Sequence, residues 1–425
     1  MTQAISIGHG SLAKGGAPEA TRNRLDALTG LRIFAALAVY FSHLTSPAPA
    51  TAGLTTLMSS GYYGVTFFFV LSGFVLALNY FDGLRRPSVR GIWSFGVALI
   101  ARVYPLYLLV LLYVFAQRTT AGVPLDGWLE HVLAVQTWDP NLAMAYNYNA
   151  PGWSIGVEFF LYATLPLLVP LIARMDRSVR RLAIVAGVVI AVMVALTIWF
   201  SATGRGALPW PDPGSAHRWL YRTPLLRMGD FVLGIVAARL YLRLRDRASI
   251  GLLGGALIVG ALLFTGYLAS SRSQLYSVPS WDLSYAVPAF ALVLGLAVAP
   301  RNLVSRFMSI PAIVLLGEAS YAFYLIHGPM IHILGAGNWK AGVTPATLFL
   351  EAVYLGIILA MAVGLHMLFE RPARLLIRRS LGDLPDRINS VLRHSPPVEA
   401  DPRPSTSPGI PDEPVQPDVV AADPV

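Results

Sequence analysis

"LRIFAALAVYFSHL", residues 31–44, is an apolar run interrupted by Arg32 near one end and His43 near the other. An ionisable side chain inside such a run is costly in lipid, so it faces a polar interior or a seam between helices. Eleven residues at about 100° each amount to roughly three turns plus 20°, which puts both side chains on one face about 16 Å apart along the axis. The stretch therefore reads as a membrane helix that offers a cation at one depth and an imidazole at another, towards one cavity.

Composition fixes the environment. Of 425 residues, 55% are hydrophobic and only 13% charged, against about a quarter charged in soluble domains. Residues 1–24 are polar and show no cleavable signal. Cysteine is absent, so disulfides, thiolate nucleophiles and cysteine metal sites are excluded. The net charge of +9 implies no nucleic-acid partner, because excess Lys and Arg in membrane proteins record orientation.

Ten segments are long enough to cross a bilayer, near 28–45, 62–80, 95–116, 154–172, 182–200, 224–241, 250–270, 282–299, 312–335 and 346–369. Alternate loops are basic: Arg85, Arg86 and Arg90, then Arg174, Arg177, Arg180 and Arg181, then Arg239, Arg243, Arg245 and Arg247, then Arg301 and Arg306, then Arg371, Arg374, Arg378 and Arg379. The intervening loops are sparse except 202–223, with Arg205, Arg218 and Arg222. The fold expected is an all-α polytopic membrane protein of about ten transmembrane helices, with both termini cytoplasmic. A disordered cytoplasmic tail is expected over 1–24, the membrane domain over 25–379, and a disordered Pro-rich cytoplasmic tail over 380–425. No internal repeat is evident, which weakens a transporter reading.

This topology gathers scattered polar residues. The first span runs outward and brings His43 to the external end. The fourth runs inward from "GWSIGVEFFLY" (152–162) and carries Ser154, Glu158 and Tyr162 as one stripe at i, i+4, i+8. The sixth, from "LLRMGDFVLG" (225–234), brings Arg227 and Asp230, and the ninth, "ASYAFYLIHGPM" (319–330), brings Ser320, Tyr324 and His327. Two histidines, two carboxylates and an arginine are thus expected in one outer layer. On the cytoplasmic side Arg32 and Arg102 have no acidic neighbour in sequence, and unpaired guanidinium groups at membrane depth suit phosphates. Between the layers Gly61, Gly64, Ser72 and Gly73 permit close helix approach or a narrow passage.

"LDALTGLRIFAALAVYFSHL" (25–44), "GYYGVTFFFVLSGFV" (61–75), "ARVYPLYLL" (101–109) and "FERPAR" (369–374) complete a series of motifs. In order, from about residue 25 to 375, the series resembles the acyltransferase-3 family of integral-membrane O-acyltransferases. The resemblance implies transfer of an acyl group, often acetyl from acetyl-CoA, to a hydroxyl of a glycan or of a small hydrophobic product. It matches Arg32 and His43 to the family's basic residue and histidine, and Ser72, Gly73 and Phe74 to its Ser-Gly-Phe motif. It matches Glu158 to the family glutamate, and Tyr324 to His327 to a late Tyr-Leu-Ile-His stretch. Two positions depart from the pattern: Leu99 stands where the family carries the first of an arginine pair, leaving Arg102 alone, and Asp230 replaces a glutamate. No soluble esterase-like extension comes after the tenth span.

The simplest alternative roles are interfacial capping for His43, snorkelling for Arg32 and interhelical hydrogen bonding for His327. "GWSIG" has the spacing of a nucleophile elbow but opens a membrane helix instead of following a strand, so Gly152 and Gly156 read as packing residues and Ser154 is not expected to be a nucleophile. His131, His217, His332 and His366 make no metal spacing, and no metal is expected.

The enzyme expected is a bacterial cytoplasmic-membrane O-acyltransferase. His43 would be its general base and Glu158 the group that orients it. Arg32, Arg102 and Ser72 would lie on the donor side, with Arg227, Asp230, Tyr324 and His327 supporting the acceptor side. No cofactor is held permanently. Acyl-CoA is the co-substrate, and a glycan, lipid-linked saccharide or small hydroxylated product the acceptor. The competing reading is a carrier of glycan or lipid with a buried proton relay.

Overall fold

In lipid every backbone N–H and C=O must be satisfied within the segment, so long apolar runs fold as helices. The computed structural model describes residues 19–44, 52–338, 342–382 and 384, and among these it contains no strand. The helices are α1 (Glu19–His43), α2 (Ala52–Ser59), α3 (Gly64–Leu84), α4 (Val89–Thr120), α5 (Trp128–Val132), α6 (Leu142–Ala145), α7 (Trp153–Met175) and α8 (Val179–Ala202). Next come α9 (Met228–Leu244), α10 (Ile250–Ser270), α11 (Leu283–Val298), α12 (Leu303–Met308), α13 (Pro311–Glu318), α14 (Ser320–Leu334), α15 (Pro345–Leu365) and α16 (Arg371–Leu381). The tails expected over 1–24 and 380–425 fall largely outside the described residues, although α1 already begins at Glu19 and α16 runs to Leu381.

Among the described residues seven helical stretches are long and apolar enough to span a bilayer: Gly53–Leu84, Val89–Thr120, Ala150–Met175, Val179–Ala202, Ile250–Ser270, Pro279–Val298 and Pro345–Leu381. The other three expected crossings are helical but fall short by that measure, each for a visible reason. α1 includes Asp26, Arg32 and His43. α9 has only 17 residues. The ninth segment is broken at Ala319 into α13 and α14.

Several helix crossings are so close that only glycine fits. A Cβ on Gly73 would lie 2.1 Å from the Phe231 carbonyl oxygen, and one on Gly234 would lie 1.9 Å from that of Val70. The α3–α9 contact is therefore backbone against backbone, as small-residue interfaces in membranes allow. In the same way a Cβ on Gly30 of α1 would lie 2.0 Å from the Met308 carbonyl oxygen of α12, and one on Gly317 of α13 would lie 2.0 Å from that of Thr29 in α1. These contacts pull α1, α3, α9 and α13 into a tight centre, completed by α11, while α8 and α15 present mostly exposed faces.

The arginines of two basic loops are not all free. Asp176, just beyond α7, is buried and pairs with Arg239 at 2.6 Å and with Arg243 at 2.8 Å. That clamp fixes the end of α7 to α9. At the opposite end of α7, residues 121–152 with α5 and α6 fold over the bundle. Tyr104 and Tyr107 of α4 donate to the carbonyls of Val132 and His131 at 2.7 and 2.6 Å. Thr137 donates to the Arg222 carbonyl at 2.9 Å, and Arg222 donates back to the Asp139 carbonyl at 2.8 Å. A cap two loops thick thus covers the end of the bundle at which α1 terminates in His43.

Candidate active site

His43 is the last residue of α1, and its Nδ1 lies 2.9 Å from the Val39 carbonyl oxygen. A carbonyl only accepts, so Nδ1 carries the proton and Nε2 keeps its lone pair. The side chain has accessible surface on the wall of a cavity of about 980 Å3. That cavity is also lined by Tyr113, Arg118, Tyr148, Pro151, Gly328 and His332. His43 is thus an imidazole with its tautomer set and, among the described residues, its basic nitrogen uncommitted, beside a space large enough for a substrate.

His327, on α14, stands next to it. The two rings are edge to face, with centroids 5.0 Å apart. His327 is wholly buried; its Nδ1 lies 2.6 Å from the Tyr324 carbonyl oxygen and its Nε2 has no partner. Phe323 stacks on the ring at 6.1 Å, and Tyr324 sits at 5.5 Å. The Tyr324 hydroxyl is 2.8 Å from Ser154, which in turn donates to the Pro151 carbonyl at 3.1 Å. Ser154 is therefore occupied in joining α7 to α14. The Gly156 of "GWSIG" is a packing residue, since a Cβ there would come within 2.7 Å of the Ala134 carbonyl oxygen.

Glu158, expected within hydrogen-bonding reach of His43 or of an arginine in the outer layer, bonds to two hydroxyls instead. Its Oε1 accepts from Ser72 of α3 at 3.0 Å and from the Tyr162 hydroxyl, and these two hydroxyls are 3.2 Å apart. The reason is depth. The cavity at His43 is lined by Pro151, seven residues before Glu158, or about 10 Å of helix. The folded cap, rather than the first turn of α7, occupies the level of His43. Glu158 lies instead within electrostatic reach of Arg32 and Arg102.

Arg227 and Asp230 form a third set, away from the cavity. Both are fully buried and paired at 2.8 Å. Arg227 also holds Asp282 at 2.8 Å, the Trp281 carbonyl at 3.0 Å and the Thr66 hydroxyl at 2.6 Å. Asp282 and Thr66 carried no weight in the sequence, since neither stands out from its apolar surroundings. The network ties α3, α9 and α11 together. The single outer layer of five polar groups is thus resolved into a histidine pair at the cavity, a carboxylate with two hydroxyls further in, and a closed ionic network.

At the end of the bundle away from His43, Arg32 of α1 and Arg102 of α4 are half-buried and close enough to repel one another. Leu99, one turn before Arg102, is buried in the apolar core and brings no charge to this side. The last transmembrane helix ends in a π-turn, His366–Glu370, in which Nδ1 of His366 lies 2.9 Å from Oε2 of Glu370. Among the described residues no group of His, Asp and Glu could hold a metal.

These features define a multi-pass membrane enzyme of a known kind. The profile of the acyltransferase domain of the acyltransferase-3 family matches residues 25–370. The chain belongs to this family and is an O-acyltransferase. It is 32% identical over 391 residues to acyltransferase MdmB of Streptomyces mycarofaciens, covering 85% of this chain and 95% of that protein. It is 29% identical over 328 residues to the exopolysaccharide production protein ExoZ of Rhizobium meliloti (strain 1021), covering 75% and 90%. To O-acetyltransferase OatA of Staphylococcus aureus it is 21% identical over 360 residues, 79% of this chain but 55% of that protein. No solved structure matches it. Family membership decides between the two readings of the sequence, enzyme over carrier.

Proposed function

We propose that the protein transfers an acyl group, acetyl in the first instance, from cytoplasmic acyl-CoA to a hydroxyl of a glycan, lipid-linked saccharide or small hydroxylated product. The setting is a bacterial cytoplasmic membrane, crossed ten times with both termini inside. The alternation of basic loops supports that orientation. A glycan acceptor is supported by the relative named for exopolysaccharide production, and acetyl as the group moved by the one named an O-acetyltransferase.

The observation that carries the reading is the separation along α1. His43, with a free Nε2, faces the outer cavity, and Arg32 sits eleven residues away, roughly 16 Å. An acyl donor has the same polarity, phosphates at one end and a thioester at the other. In the proposed step Nε2 of His43 takes the acceptor hydroxyl proton as the oxygen attacks the thioester carbonyl. The C–S bond breaks, the new ester forms, and the imidazolium returns the proton to the departing thiolate. His327 buttresses the His43 ring. Arg32 and Arg102 hold the donor phosphates, and Ser72, Tyr162 and Glu158 line the way between.

Glu158 belongs to the donor side in this scheme, balancing the arginines rather than orienting the base. Purified protein incubated with radiolabelled acetyl-CoA provides the test. Transfer to an added acceptor, or slow hydrolysis to acetate and CoA in its absence, is expected. A well-folded preparation that neither binds nor consumes acetyl-CoA would overturn the reading.

A further inference from the structure

Three arginines converge at the end of the bundle remote from His43. Arg32 and Arg102 come from α1 and α4; the third, Arg374, comes from α16. All three are half-buried. Arg374 lies within electrostatic reach of Arg102, as Arg102 does of Arg32. Among the described residues none of the three makes a hydrogen bond or an ion pair with a protein group. The carboxylates nearby are engaged with other partners: Glu158 with Ser72 and Tyr162, Glu370 with His366. Glu318, also near Arg374, has its closest basic partner in His366 at 3.9 Å.

Glu158 and Glu370 lie within electrostatic reach and offset part of the repulsion among these half-buried guanidinium groups, but among the described residues nothing replaces the hydrogen bonds to water that burial removes. The fold nevertheless builds the cluster with specific devices. The π-turn at 366–370 adds a residue to the last transmembrane helix and so re-aims α16 beyond it. α16 then packs back along the first turns of α4, fixed by the Trp93 indole donating to the Leu381 carbonyl at 2.9 Å. Without that docking Arg374 would have no reason to approach Arg102. An anion with several acceptor oxygens satisfies such a cluster, and guanidinium forks match phosphate bidentately.

We propose that Arg374 is the third arm of a phosphate site shared with Arg32 and Arg102, and that the phosphate is one carried by the acyl donor. The inference rests on the donor reading above and extends it to α16, whose first turn closes the FERPAR motif at Arg374. α16 is therefore part of the enzyme's substrate site and not a trailing surface helix.

The test is equilibrium binding of coenzyme A to the full-length protein in nanodiscs of phosphatidylcholine, and again with phosphatidylglycerol added. Arg374→Gln should weaken coenzyme A binding roughly 10- to 100-fold, the loss expected for a charge-assisted contact. Arg374→Lys should recover only part of it, and Arg379→Gln, on an exposed residue of the same helix, should bind like wild type. KM for acetyl-CoA should rise with little change in kcat. The lysine variant guards against misfolding, checked by size-exclusion profile. If Arg102→Lys weakens binding and both Arg374 variants match wild type, Arg374 is not in the site although the donor reading survives. If wild-type protein does not bind coenzyme A, the donor reading itself falls. If the Arg374 variants lose only a response to phosphatidylglycerol, the phosphate belongs to a lipid headgroup and the proposal is overturned.

Discussion

Replacing His43 by Asn separates base catalysis from everything else the residue does. The one hydrogen bond of its side chain runs from Nδ1 to the Val39 carbonyl at 2.9 Å, and an asparagine amide can donate in the same direction. What Asn lacks is the second nitrogen with its lone pair. The structural cost is small, because the bond is worth about 1 kcal/mol net and the side chain is already accessible. The catalytic cost is that of a lost general base, about 10²- to 10⁴-fold, or roughly 2.7–5.5 kcal/mol of barrier. Turnover of labelled acetyl-CoA with acceptor should fall by that factor, while monodispersity in detergent and coenzyme A binding remain those of wild type. His43→Ala should fall equally far. If the Asn variant retains activity within a few-fold of wild type while Ala does not, the ring serves to hold α1 in place and the proton goes elsewhere.

The geometry sets four other outcomes. Arg227→Met strands Asp230 and Asp282 in a fully buried site, so stability should drop by about 3–5 kcal/mol, seen as a large fall in melting temperature before any specific kinetic defect. Glu158→Gln should change KM for acetyl-CoA more than kcat, because its partners are Ser72 and Tyr162 and not His43; a pure kcat defect would return Glu158 to the acid–base step. Gly73→Val should abolish folding or expression, since even a single Cβ meets the Phe231 carbonyl at 2.1 Å, whereas Gly187→Val in the open should be tolerated. His217 lies in the outer loops, stacked on Trp210 at 5.0 Å, and burial together with Arg222 lowers its pKa to about 3. The folded form thus binds fewer protons than the unfolded chain below pH 6.5. Its contribution is whole above that pH and is lost as pH falls towards 3. Between pH 6.5 and 5 the loss is about 2 kcal/mol, which His217→Phe should remove from a pH–stability profile.

The sequence made the helices legible because lipid leaves the backbone a single solution, and apolar length reports it directly. It made His43 and Arg32 stand out because an ionisable side chain in such a run is costly in lipid. The partners were another matter. Glu158 looked level with His43 because both stand near helix ends on one side, an argument that treats the connecting loop as empty. Residues 121–152 are not empty. They carry α5 and α6, and they fill the level at which α7 was expected to begin, pushing Glu158 a full two turns inward. Arg227 and Asp230 looked like site residues for the reason His43 did, being ionisable in an apolar segment. Their distinguishing feature was a third member, Asp282, more than fifty residues away, and no periodicity within one helix can show that.

Arg374 was hidden for the opposite reason. It closes the FERPAR motif but stands among Arg371, Arg378 and Arg379 in a basic stretch, and neither the motif nor the charge count assigns it a contact. What sets it apart is position rather than type. A π-turn and the docking of α16 against α4 bring Arg374 within electrostatic reach of Arg102. The positive-inside rule counts arginines without asking where each guanidinium goes. In this protein the member of the count that approaches Arg102 is the one to test for function.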